Sequence, residues 1–292
     1  MHMNSTAIID NTLFVTDLDG TLLDDTSRVS PESLRLLNAL TALGAHITVA
    51  TARTPATVQP LLKGFSSTLP AIVMTGAAMW DRQAMRYLHP HLLPPQAARA
   101  AIAMCRANSI NPFIYTLDTA CDTMTVYHNG PTNPPEQQFI DQRRNLTLKH
   151  FELDTPAGLA PHIPHTAMIF AMGPFSSIDT VARALSSRDD CSVSAYVDIY
   201  SHDTGILEVF APGVSKARAI ARLARDTGLG RTVVFGDNLN DLPMMATATE
   251  AYAVANALPQ VKQAATGIIG PNTAHAVPRA IASLCGIDHR FL

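Results

Sequence analysis

Apolar positions in the first third of the chain fall into brief runs separated by stretches with helical spacing. Leu13–Thr16, Ile47–Ala50 and Ala71–Met74 are short, apolar and largely β-branched, and each predicts a buried strand. Between the first two, Ser30-Pro31-Glu32 supplies an N-cap and a proline at the first helical position. Leu34, Leu37, Leu40 and Leu43 then predict one apolar helix stripe ending at Gly44, and a second helix is predicted from Thr54-Pro55. Alternation of this kind predicts an α/β fold, a doubly wound and mostly parallel sheet with helices on both faces. On such sheets ligands bind beyond the carboxyl ends of the strands.

From about Tyr87 the pattern changes. Prolines cluster at Pro90, Pro94 and Pro95, and Ala97–Ala107 and Ile178–Ser186 read as helices. Phe113–Leu117 and Thr123–His128 read as paired strands followed by a proline-rich loop at Pro131–Pro135. Thr166–Met172, Ser192–Ile199 and Ile206–Phe210 read as further strands. The alternating pattern resumes with a helix from Ser215 to Thr227, Gly228 as its C′ residue, and a strand at Arg231–Phe235. A strand at Ala251–Ala255, Asn256 as an N-cap and a helix over Thr273–Leu284 close the chain. The expected organisation is a discontinuous core, 1–86 with 211–292, interrupted by a mixed α+β insert over 87–210.

The chain has 292 residues, enough for about two domains with a sizeable core. Apolar residues make up 47% and charged residues 15%, a balance that disfavours disorder. The formal charge of -3, with no long basic run, argues against a nucleic-acid surface. No apolar stretch approaches the ~20 residues that span a bilayer, so no membrane partner is expected. Cys105, Cys121, Cys191 and Cys285 form no CxxC pair and read as reduced, packed thiols. With no basic n-region or apolar h-region at the start, a cytoplasmic protein is expected, a monomer or small homo-oligomer.

The chemistry concentrates where strands end. Thr12–Thr16 empties into Asp17-Leu18-Asp19-Gly20-Thr21-Leu22. Two carboxylates two residues apart disfavour each other's ionisation, so they imply a compensating cation, or one carboxylate that attacks while the other handles protons. A solvated turn is the plain alternative. Val233-Val234-Phe235-Gly236-Asp237-Asn238-Leu239-Asn240-Asp241 is a second strand that empties into acids and amides. Those acids are candidate ligands of a hard cation, or caps of the helix that starts near Leu239. Lys216 opens a helix, where a cation opposes the macrodipole, so placement alone does not favour a structural lysine. His89-Pro90-His91 and His162-Ile163-Pro164-His165 lack nearby Cys or paired acids and read as surface histidines rather than a zinc site. Met79 and Trp80 read as packing. Walker-type, GxSxG and GxGxxG signatures are absent.

Four segments in order, Asp17–Leu22, Thr51-Ala52-Arg53, Gly213-Val214-Ser215-Lys216 and Gly236–Asp241, resemble the signatures of the haloacid dehalogenase-like phosphohydrolases. The long insert and Leu207–Pro212 ahead of the lysine resemble the Cof-type branch. The resemblance implies a phosphatase acting on a small phosphorylated metabolite. In it Asp17 is the nucleophile and Asp19 the general acid and base. Mg²⁺ is held by Asp17, the backbone carbonyl of Asp19 and Asp237, with Asp241 supporting the shell. Thr51, the Ala52 amide, Lys216 and Asn240 engage the phosphoryl group. It further implies that the insert is a mobile cap that sets specificity, with Tyr127, His128 and His202 as polar candidates. A phosphotransferase or phosphomutase using the same Asp17, and a phospholigand-binding protein without turnover, are the alternative readings. Ala52, Ala217 and Thr75 stand where the family more usually has Gly, Gly and Asn.

Overall fold

The computed structural model describes residues 9–197 and 204–292. Its strands run along the chain as β1 (Thr12–Thr16), β2 (His46–Val49), β3 (Ala71–Val73), β4 (Ala78–Asp81) and β5 (Arg86–Leu88). Next come β6 (Phe113–Asp118), β7 (Thr123–His128), β8 (His150–Leu153), β9 (Thr166–Pro174), β10 (Ser192–Val197) and β11 (Thr204–Phe210). The last three are β12 (Arg231–Gly236), β13 (Glu250–Ala253) and β14 (Gly267–Ile268). The chain divides into two compact units, one built from the residues up to Leu88 with Ser215–Leu292, the other from His89–Val214.

The first unit carries a five-stranded sheet in the order β14-β13-β12-β1-β2, parallel throughout. All five residues of β1 are buried, as a strand covered on both faces requires. Chain order reverses between β1 and β12, so the crevice beyond their carboxyl ends is the topological switch point. A bridge from Ala50 to Ile72 links this sheet to the antiparallel β3-β4-β5. Trp80 is buried there, its indole N–H donating to Gln59 Oε1 at 2.9 Å, so it packs as expected.

The second unit is a six-stranded sheet, β10-β11-β9-β6-β7-β8, antiparallel except between β7 and β8. One face, with Ile114, Tyr127, Ile169, Leu207 and Val209, packs against the helices Pro95–Ala107 and Phe175–Ser186. The helices supply Ala97, Ala101, Ile178 and Leu185 to that core. Tyr127 belongs to this layer and His128, its neighbour in the strand, to the opposite one, because strand side chains alternate. His202 lies outside the described residues, as do the last two positions of the strand expected over Ser192–Ile199.

Four sequence expectations are corrected. The helix Pro31–Ala42 buries Ser33, Leu36, Leu37 and Leu40, while Leu43 is 54% exposed. Four residues at a constant spacing of three drift round a helix that turns every 3.6, so Leu34, Leu37, Leu40 and Leu43 do not share one face. Pro134 and Pro135 begin the helix Pro134–Asp141 instead of prolonging a loop. Asn133 accepts from Glu136 N–H as its cap, and proline is well suited to the first helical turn. Asn256 caps no helix: Pro259–Ala264 starts after Leu258, and the Asn256 side chain is committed elsewhere. The four cysteines are free; Cys105, Cys191 and Cys285 are packed as expected, whereas Cys121, in the turn before β7, is exposed. No helix of the described residues is long and apolar enough to cross a membrane.

Candidate active site

Asp17 is the first residue past β1, and its backbone N–H donates to Phe235 O at 2.9 Å, which ties it to the end of β12. The chain then turns back through Leu18–Leu22, closed by Leu23 N–H to Leu18 O, with Gly20 at φ +74°. That conformation favours glycine, and space demands it too. A Cβ at Gly20 would stand 2.5 Å from Asp237 Oδ2, so the absent side chain lets the two loops meet. Thr21 Oγ1 donates to Asp237 Oδ1 at 2.8 Å. Asn256 Nδ2 donates to Gly20 O at 2.7 Å, and Asn272 Nδ2 to Leu23 O at 2.8 Å. Two amides from late loops thereby brace the turn carrying both early acids.

The β12 loop is organised by Asp241. Its Oδ2 accepts from the N–H groups of Asp237 and Asn238 at 3.0 and 3.2 Å, and Asn238 Oδ1 accepts from Leu239 N–H at 2.7 Å. Capping and site chemistry therefore coincide: one Asp241 oxygen fixes the loop and the other faces Lys216. The helix Lys216–Thr227 is capped by Ser215, whose Oγ accepts from Arg218 N–H. Its first residue reaches inward, Lys216 Nζ donating to Asp17 Oδ1 at 2.6 Å and Asp241 Oδ1 at 2.7 Å, all three side chains being buried. The dipole penalty at a helix N-terminus is offset by these two carboxylates.

Three acids meet here against one lysine. Carboxylate oxygens of Asp17, Asp237 and Asp241 all lie within 4.8 Å of one another. Burial holds the Asp17 carboxyl well above the usual carboxylate range, with Asp241 and Asp237 adding to the effect and Lys216 opposing it. Burial, then Asp241, pushes Asp237 up to about 6. Asp17 and Asp241 draw the Lys216 ammonium above its ordinary value, outweighing the opposite effect of burial. Three carboxylates and one ammonium leave two negative charges uncompensated in an all-oxygen cluster, a donor set that fits a hard divalent cation. Among the described residues it is the one such group of potential metal ligands.

Asp19 points elsewhere. Its carboxylate is gripped by Arg53 and stands outside the three-acid cluster. Thr51 follows the sheet at Ala50 and is buried. Its Oγ1 accepts from Arg53 N–H at 3.1 Å, which leaves the hydroxyl proton for another acceptor. Ala52 is half-buried at the same bend. Thr75 N–H donates to Thr51 O at 2.9 Å and Met74 N–H to Arg53 O at 3.0 Å, locking the β3 turn onto this bend. Met74 and Thr75 both take positive φ, +50° and +57°, a costly conformation for a β-branched residue. The hydroxyls of Thr54 and Thr75 are buried without hydrogen-bond partners. Asn240 is exposed on the β12 loop.

Residues whose role the sequence did not indicate are Thr21, Arg53 as a partner of Asp19, Asn272, and Asn256, which read only as a helix cap. Thr21 and Arg53 sit inside the quoted motifs, so their position was a usable signal; Asn256 and Asn272 carried none.

Residues 14–281 match the family model described as haloacid dehalogenase-like hydrolase. Pyridoxal phosphate phosphatase YbhA of Escherichia coli (strain K12) is 24% identical over 289 residues, covering 91% of this chain and 96% of its own. HMP-PP phosphatase of Serratia proteamaculans (strain 568) is 27% identical over 252 residues, 84% of each chain. A solved subclass IIB sugar phosphatase of the haloacid dehalogenase superfamily superposes with a TM-score of 0.73 at 19% identity, over 93% of this chain and 98% of that one, a likeness of fold.

Proposed function

The chain belongs to the haloacid dehalogenase-like hydrolases, and from that membership we propose that it is a Mg²⁺-dependent phosphatase of small phosphorylated metabolites, working through an aspartyl-phosphate. The observation that carries this reading is the contact of buried Lys216 with both Asp17 and Asp241 at the switch point of the sheet. The relatives support the substrate class: those quoted are named phosphatases of pyridoxal phosphate and of HMP-PP.

In this reading Asp17, held in line by its backbone bond to Phe235, attacks phosphorus as the carboxylate and forms the acyl phosphate. Asp19, on its arginine, gives a proton to the leaving oxygen and later takes one from the attacking water. Thr51 offers its hydroxyl proton and the Ala52 bend its amide to phosphoryl oxygens, with Asn240 as a further donor. Lys216 neutralises charge on the transferring group while keeping Asp17 oriented. Asp17, the Asp19 carbonyl and Asp237 would hold Mg²⁺, with Asp241 supporting them. The ion supplies charge neutralisation for an anionic nucleophile meeting an anionic ester. Substrate choice is assigned to the inserted unit, His89–Val214.

The test is phosphate release from a panel of phosphorylated metabolites with Mg²⁺ and no added acceptor. Turnover that falls to background in Asp17→Asn, with the far-UV spectrum and melting retained, is the expected result. Donor consumption that requires an acceptor alcohol or sugar, with the phosphoryl group recovered on that acceptor instead of as free phosphate, would move the assignment to a phosphotransferase.

A further inference from the structure

The chain has four lysines: Lys63, Lys149, Lys216 and Lys262. Lys216 is engaged by two carboxylates, but Lys149, in the inserted unit, is buried with no such partner. Only 2% of its surface is exposed. Its Nζ lies 5.3 Å from the centre of the Tyr115 ring and 6.0 Å from that of Phe151, and among the described residues it makes neither a hydrogen bond nor an ion pair. Strand register puts Tyr115 opposite Val126 and Val126 opposite Phe151, so both rings lie on the sheet face turned away from the helix-packed core. Lys149 is therefore an ammonium set over an aromatic floor.

Its charged neighbours do not relieve it. Arg143, whose guanidinium carbon stacks 3.9 Å over Phe139, is of the same sign. Burial, and then Arg143, push the Lys149 amine down to about 7. Glu208, on β11 opposite Phe170, shares this sheet face, and Tyr115 feels both Arg143 and Glu208. Burying an unpaired ammonium forfeits its hydration. A ring face offsets only part of that loss. A leucine or methionine would fill the same space without the deficit, so packing does not account for an amine here.

We propose that Lys149, over the rings of Tyr115 and Phe151 and beside Arg143, is an anion-recognition site of the inserted unit, taking the carboxylate or phosphate group of an organic ligand. An arriving anion supplies the acceptor that the amine lacks, within the electrostatic reach of a second cation, Arg143. The aromatic floor keeps water from competing with the pair. Binding draws a proton onto Lys149, because the bound anion favours the charged form. The site is independent of the catalytic assignment, since it stands on residues of the inserted unit alone.

With only four lysines, ¹³C-lysine-labelled full-length protein gives four resolvable ε-methylene signals, with that of Lys149 assigned by its loss in Lys149→Met. Inorganic phosphate and succinate are titrated separately, against sodium chloride at equal ionic strength. The expected result is a saturable shift of the Lys149 signal with phosphate, succinate or both, and a titration midpoint that rises by a unit or more when the anion is bound. Arg143→Gln should weaken that binding at least tenfold. A Lys149 signal that neither anion moves, or that chloride moves equally, overturns the site, as does a Lys149 midpoint indistinguishable from those of Lys63 and Lys262. Because the Lys216 signal is read in the same spectra and phosphate release is measured separately, failure here leaves the phosphatase reading standing, and the reverse.

Discussion

Arg53 grips Asp19 through two parallel bonds, Nε to Oδ2 at 2.7 Å and Nη2 to Oδ1 at 2.6 Å. The Asp19 side chain is half exposed, and an acid at such a position samples several rotamers unless something holds it. A guanidinium fork matches a carboxylate in a plane and fixes it as well as neutralising it, which an ammonium cannot do. Arg53 is thus a positioning residue for the proposed acid and base.

The first prediction follows from that fork. Arg53→Lys keeps the charge and loses the geometry, so kcat should fall roughly 10–100-fold while KM changes little, consistent with the worth of a well-placed acid or base. Stability should move by less than about 1 kcal/mol, because the pair is solvent-screened. Steady-state kinetics on one good substrate, with a melting curve, read both. A lysine variant with unchanged kcat would remove Arg53 from the machinery.

Much of this arrangement was legible in the sequence, and the illegible part has a common cause. Strand ends announced themselves, because an apolar β-branched run that stops at acids and glycine has few other meanings; Asp17 and Asp237 follow such runs, and Thr51 follows one that stops at a hydroxyl. The structure adds that Lys216 meets Asp17 and Asp241 directly. The bracing roles of Asn272 and of Asn256, read only as a helix cap, were not legible, since their partners Leu23 and Gly20 are more than two hundred residues away. The helix Pro134–Asp141 was hidden because proline punctuates loops and first helical turns equally well. Lys149 was hidden for a different reason: burial of a lysine is set by tertiary packing and leaves no local pattern.

The second prediction concerns Gly76, at φ +95° in the turn after β3. A Cβ there would stand 2.4 Å from Ser215 O, the backbone immediately ahead of Lys216. Backbone cannot step aside as a flexible side chain can, so Gly76→Ala must displace either the turn or the start of the helix. Destabilisation of roughly 2–4 kcal/mol is expected from combined strain and clash. Activity should fall further than the folded fraction does, because Lys216 moves with Ser215. Urea unfolding and activity on the same preparation separate the two losses, and a fully active, equally stable variant would contradict the geometry.

The third prediction concerns Asp237 and pH. Its carboxyl is pushed up to about 6 in the metal-free fold, above the ordinary value of 3.8. The folded chain therefore binds a proton that the unfolded chain has lost between these values, and Asp237 lowers stability as pH rises through that window. Metal-free Asp237→Asn should accordingly be more stable than the parent at pH 7.5, by roughly 1–3 kcal/mol. Mg²⁺ should stabilise the parent at pH 7.5, lose most of that effect below pH 6 as its ligand protonates, and do little for the variant. Melting curves with and without Mg²⁺ at pH 5.5 and 7.5 decide it; a variant stabilised by Mg²⁺ as strongly as the parent would exclude Asp237 from the metal site.

The fourth prediction lies in the inserted unit, at His128. Its ring stacks on Phe113 at 3.8 Å between centres and 11° between planes. Neither ring nitrogen is hydrogen-bonded, and Glu136 Oε2 is 3.9 Å from Nε2. Burial lowers the pKa of His128 below its ordinary 6.5, against the opposing pull of Glu136 and Asp154. The sign follows from linkage: the unfolded chain takes up the proton first, so this contribution is complete above about pH 6.5 and is lost as pH falls through and below that value. His128→Phe keeps the stacked ring and removes both unsatisfied nitrogens, so it should raise stability at pH 7 by about 1–2 kcal/mol. More tellingly, it should flatten the loss of stability between pH 7 and pH 5. Urea midpoints at three pH values across that interval provide the measurement, and a variant that remains as acid-sensitive as the parent would show that the charge of His128 does not set the slope.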